Sequence, residues 1–207
     1  MADKALRTTP AMAVEIADNL GMAESITGNM FRRIREDGYG SQSGRGTSAA
    51  MATSQDAAVL LLVCMATDRP VHAGVIAEVL TALKLYEGDP NDLPPKTVNG
   101  LRVKSRDLIG VVTEIIDAQR AGKGGPNWKV HLRVSFPLRF HILWEGGSWN
   151  FKPPDDRKGL ERYDRIEQRG VITIYDGSRE VGLKRFSEVP MWVLDNIADW
   201  LEGRESE

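Results

Sequence analysis

The sequence predicts an α+β protein, with a helical first half and an antiparallel sheet in the second, and three observations carry that reading. Between residues 13 and 118 apolar side chains recur three or four positions apart, the period of a helix with one buried face. From Trp128 the period becomes two: Trp128, Val130, Leu132, Val134 and Phe136 alternate with Lys129, His131, Arg133 and Ser135, as in a strand buried on one side. Between the two regimes lies AGKGGP, which suits neither a helix nor a strand. With 207 residues, 42% of them hydrophobic, the chain can bury a sizeable core. We expect three segments: an N-terminal helical unit over 1–69, a helical connector or dimerisation region over 70–125, and an α+β unit over 126–207.

The first helix pattern, AVEIADNLG, places Val14, Ile16, Ala17 and Leu20 mostly on one face and ends at Gly21, which reaches positive φ without steric cost. In the second, AESITGNMFRRIRED, Ile26, Met30 and Ile34 recur every fourth residue and form the inward stripe. The opposite face carries Ser25, Asn29, Arg32, Arg33 and Glu36, with Thr27 and Gly28 beside it. Hydroxyl and amide groups suit base edges and backbone alike, and arginine binds guanine bidentately or sits on phosphate. Gly28 costs a helix about 1 kcal/mol relative to alanine, which is tolerable where a DNA backbone comes close. Next comes DGYGSQSGRGTS, a loop too polar for a core, in which Ser43 and Arg45 either reach a neighbouring groove or sit on an exposed linker.

Two helices joined at a glycine and followed by an arginine-bearing glycine loop resemble the winged helix-turn-helix proteins, which include MerR-type regulators and many phage or prophage DNA-binding proteins. The resemblance rests on A-x-x-I-A-x-x-L-G, R-R-I-R-E-D-G and S-G-R-G, within the first third of the chain. It implies recognition of double-stranded DNA, commonly by a homodimer on a two-fold site. It also implies that Ser25, Thr27, Asn29, Arg32 and Arg33 lie in the groove, with Ser43 and Arg45 on the wing.

Thr53 followed by Asp56 is an acidic capping box. It opens a helix whose Ala57, Ala58, Leu60, Leu61, Leu62 and Met65 predict burial on more than one side. Residues 70–86 read as one helix with a broad apolar face from Val71 to Leu85, and the prolines of EGDPNDLPPK make 87–97 a loop. Ser105 or Asp107 opens a helix over 108–118 that turns Ile109, Val112, Ile115 and Ile116 inward. Past Pro137 the strand parity resumes at Leu138, Phe140, Ile142 and Trp144, and a turn at 145–148 leads into Trp149 and Phe151. After a charged stretch, a strand over 171–175 turns at Asp176-Gly177 and returns through Val181 and Leu183. A helix after Ser187, with Met191, Leu194, Ile197 and Leu201 inward and Trp192 and Trp200 nearby, covers the sheet.

The formal net charge is -2, so no global basic field advertises nucleic-acid binding. The positive charge is local: between Ile26 and Ala52 four arginines face only Glu36 and Asp37. The single cysteine, Cys64, lies in an apolar run and reads as a small buried hydrophobe. His131 and His141 can meet on adjacent strands, but no further ligand flanks them at short spacing, so no metal is expected. With Lys129, Arg133 and Arg139 they form either a cationic sheet surface or an ordinary solvated face. Asp155, Glu180 and Lys184 lack a metal nuclease's spacing, and no nucleophile elbow, phosphate loop or dinucleotide fingerprint occurs. We therefore expect neither catalysis nor a cofactor. No leader and no apolar run of membrane-spanning length is present, which predicts a cytoplasmic protein. All five tryptophans lie from Trp128 onward, either as core or as contacts for a protein partner. That second option makes the alternative function a non-catalytic interaction module, a phage assembly or host-inhibitory factor.

Overall fold

A computed structural model describes residues 7–42, 50–85, 97–98, 101–123, 131–135, 139–144, 147–152 and 188–204. Along the chain these form α1 (Thr9–Leu20), α2 (Glu24–Glu36), α3 (Ser54–Ala66) and a 3-10 turn (Pro70–His72) that runs into α4 (Ala73–Ala82). Then come β1 (Lys84–Leu85), the hairpin β2 (Thr97–Val98) and β3 (Leu101–Arg102), and α5 (Leu108–Arg120). The second half supplies β4 (His131–Ser135), β5 (Arg139–Trp144), β6 (Gly147–Lys152), β7 (Glu188–Pro190) and α6 (Met191–Glu202). Five strands form one antiparallel sheet in the order β1-β6-β5-β4-β7. The protein is thus α+β.

α3 is the hub. Its side chains are apolar all round, so every side must be covered by another element. All of its residues except Gln55 are buried, and α1, α2, α4, α5 and α6 pack against it. Its first turn holds the anticipated capping box: the Thr53 hydroxyl accepts from the Asp56 N–H, and the Asp56 carboxylate accepts from the Thr53 N–H at 3.0 Å.

Other elements depart from the sequence pattern for tertiary reasons. The helix expected over 70–86 is a 3-10 turn followed by a helix that stops at Ala82, because Lys84 and Leu85 pair with Lys152 and Phe151 at the edge of the sheet. The helical half thereby contributes a strand to the sheet of the other half. α1 begins at Thr9 and buries Met12, Ala13, Ile16 and Ala17, while Val14 is exposed. α5 begins where Asp107 caps the Gly110 N–H at 2.8 Å, and it runs to Arg120. The sheet keeps the anticipated parity, burying Leu132, Val134, Phe140, Ile142, Trp149 and Phe151. The strands expected over 171–175 and through Val181 and Leu183 lie outside the described residues.

α6 follows β7 directly and buries Val193, Leu194, Ile197, Ala198 and Leu201. It packs on α5 and α1. Asn196 donates to Asn19 at 2.7 Å, Arg7 lies 5.0 Å over the Trp200 ring, and Arg120 pairs with Glu202 at 2.7 Å. The buried apolar side chains form one cluster from Met12 to Leu201, drawn from all three anticipated segments. Among the described residues no helix is long and apolar enough to cross a membrane.

Candidate nucleic-acid interface

α1 and α2 are joined by three residues. Gly21 (φ 62, ψ 33) ends α1 in the left-handed region, with its N–H and that of Met22 closing on the last turn. A short turn containing glycine joins two helices in αα-hairpins and in helix-turn-helix units alike. α2 then presents two unlike sides. Thr27, Met30, Phe31 and Ile34 are buried at the i, i+3, i+4, i+7 spacing, against α1, α3 and α4. Ser25, Gly28, Asn29, Arg32, Arg33 and Glu36 face solvent.

Thr27 is a correction to the sequence reading, which put it among the DNA contacts. It is 0% exposed and its hydroxyl donates to the Glu24 carbonyl at 3.0 Å. The cause is Phe31. Burying that ring turns the inward stripe toward Thr27 and leaves Ile26 only partly covered. The other four α2 residues are exposed, as their assignment needs.

The two arginines share one carboxylate. Arg33 Nη1 lies 3.0 Å from Glu36 Oε2, and Arg32 Nε lies 3.8 Å from Glu36 Oε1. The side chains of Arg32 and Arg33 remain 63% and 51% exposed, so these are surface pairs worth about 0–1 kcal/mol that phosphate can displace. Gly28 sits between them and Ser25. A Cβ built on it meets nothing within 4 Å, so no contact among the described residues accounts for a glycine there.

Ser43 and Arg45 lie outside the described residues; the two ends of their loop do not. Asp56, 2% exposed, accepts from the Ser41 N–H at 2.7 Å and the Ser41 hydroxyl at 2.8 Å, in addition to the Thr53 N–H and hydroxyl. One buried carboxylate therefore binds the chain where it leaves α2 and where it enters α3. Met51 also forms an antiparallel bridge with Thr8, just ahead of α1. The capping box was visible in T-S-Q-D, but the bond to Ser41 had no local signal.

Other candidates resolve more simply. Cys64 is fully buried, 3.6 Å from Met30 Sδ, and burial pushes its thiol pKa up. His141 is in register with Arg133 and bonds through Nδ1 to Asn150. Among the described residues no group of three or more His, Cys, Asp or Glu is placed to hold a metal. Asp155, Glu180 and Lys184 are outside the described residues. Trp149 is buried, Trp200 is half-buried under Arg7, and Trp192 is 53% exposed. Comparison with protein-family models, curated sequences and solved structures finds no match.

Proposed function

We propose that this chain is a sequence-specific double-stranded DNA-binding protein, a regulator of the phage or prophage type, which acts as a homodimer and lays the exposed side of α2 in the major groove. Ser25 and Asn29, in the first turns, contact base edges or the adjacent backbone. Arg32 and Arg33 give up Glu36 for phosphate or guanine. Arg45 reaches an adjacent groove from the loop held at its base by Asp56, and α1 crosses the backbone.

The observation that carries the reading is Gly28. An exposed mid-helix glycine costs about 1 kcal/mol and is easily replaced unless something must approach closely. Here none of the described residues approaches it, and the flanking residues carry the hydrogen-bonding and cationic groups that a duplex requires. Selection from a random duplex library, followed by a salt titration on the enriched sequence, tests the reading. Enrichment of a common motif with a steep negative salt slope supports it, and no enrichment refutes it.

Trp192 favours a second reading, in which the C-terminal half binds protein. If that surface joins two copies, Trp192→Ser shifts the protein to monomer in sedimentation and removes the concentration dependence of its melting temperature.

A further inference from the structure

Glu36 stands where its helix has least use for it. It closes the last turn of α2, the end at which the macrodipole disfavours a negative charge. Both of its partners, Arg32 and Arg33, precede it in the chain, which is the weaker order for an ion pair along a helix. Helix stability therefore gives little reason for a glutamate at this position.

Its place on the exposed side gives a better one. Ser25, Asn29, Arg32 and Glu36 are spaced i, i+4, i+7 and i+11 and form one row along the solvent side of α2. A duplex laid along the first three also meets the fourth. A carboxylate only accepts hydrogen bonds. Phosphate repels it, whereas the cytosine amine in the major groove satisfies it. The two pairs it makes are unequal: Arg33 donates to it at 3.0 Å, while Arg32 stays 3.8 Å away and is the more exposed. Arg32 is thus the readily released arginine. Arg33 leaves without cost only where Glu36 finds another donor, because an unpaired carboxylate would otherwise stand among phosphates.

We infer, resting on the reading of α2 as the DNA-facing helix, that Glu36 is a specificity-determining residue. On an arbitrary duplex it keeps Arg33 from phosphate, so the protein makes one phosphate contact fewer than its cations allow. On the selected site a cytosine amine takes the carboxylate and Arg33 is freed for guanine or phosphate.

Binding of the parent and of Glu36→Gln to the selected duplex and to a scrambled one, each across a range of salt, tests this role. The variant is expected to bind the scrambled duplex at least about threefold more tightly, with a salt slope steeper by about one unit for the phosphate that Arg33 gains. Its ratio of selected to scrambled affinity is expected to fall at least about fivefold. Repeating the selection with Glu36→Ala should remove a preference for one G·C pair from the enriched motif. Glu36 is 48% exposed and its pairs lie at the surface, so both variants should fold, which a thermal melt checks. Loss of one negative charge from the whole molecule strengthens both duplexes alike, so an unchanged ratio overturns the inference. An unchanged slope on the scrambled duplex, or a motif that keeps every preference in Glu36→Ala, overturns it too while leaving α2 on DNA. If the parent enriches no sequence, the placement of α2 fails and this role with it.

Discussion

Gly28 and Thr27 are neighbours on α2 with opposite expected behaviour. Gly28→Ala adds a methyl group into open space and improves helix propensity, so it should raise stability by about 0.5–1 kcal/mol. If DNA lies against that point, the same variant binds its selected duplex more weakly. A gain in melting temperature paired with a loss of affinity is not produced by a purely structural glycine. Thr27→Val keeps the buried shape and loses one local hydrogen bond, so stability should change by no more than about 1 kcal/mol and DNA affinity not at all. A selective loss of affinity in Thr27→Val would mean the hydroxyl touches DNA after all. Asp195 on α6 gives a pH signature. Partial burial, and secondarily the charge of Asp199, push its carboxyl pKa from 3.8 up to about 6. A raised native pKa means the folded state holds the proton more tightly, so stability falls as pH rises from about 4 to about 6. Asp195→Asn should therefore melt higher than the parent at pH 7, with the difference shrinking toward pH 4; a difference that grows on acidification contradicts the assignment.

Among elements, helical spacing made α1, α2 and α5 legible because each has one apolar side, and α3 was legible as a buried helix because it has no polar one. The rotation of α2 was harder to read: Ile26, Met30 and Ile34 fit a stripe, and so do Thr27, Met30, Phe31 and Ile34. Only the packing of Phe31 decides between them. β1 was hidden because Leu83 and Leu85 continue the apolar run of α4, and pairing with β6 turns the chain into a strand. The contact between α2 and α4 was also out of reach. Asp37, just past α2, places Oδ2 1.5 Å from where a Cβ on Gly74 would stand, beside the N-terminus of α4 where a negative charge is favourable. Because Asp37 is exposed and its carboxylate can swing aside, Gly74→Ala should cost no more than about 1 kcal/mol, and Asp37→Ala in the same chain should remove that cost. Additive losses in a thermal melt would show that the two residues do not meet.

For the whole molecule, the change of period near residue 125 gave the α+β class and the sheet parity. It did not reveal that one continuous core would draw on all three anticipated segments, nor that α6 would return to α1. Those contacts join residues as far apart as Asn19 and Asn196, and no local pattern encodes such a distance. The exposed side of α2 was legible except for Thr27, since exposure follows from the same periodicity that sets the core. The fixed loop base was not, because its bond from Ser41 to Asp56 spans fifteen residues. The most direct test of the DNA reading is the affinity of the parent and of Arg32→Ala/Arg33→Ala for one selected duplex across a range of salt. The variant should lose about 1–3 kcal/mol for each base-reading arginine, or show a shallower salt slope by about one unit for each lost phosphate contact. Identical affinity and identical slope would contradict the placement of α2 on DNA.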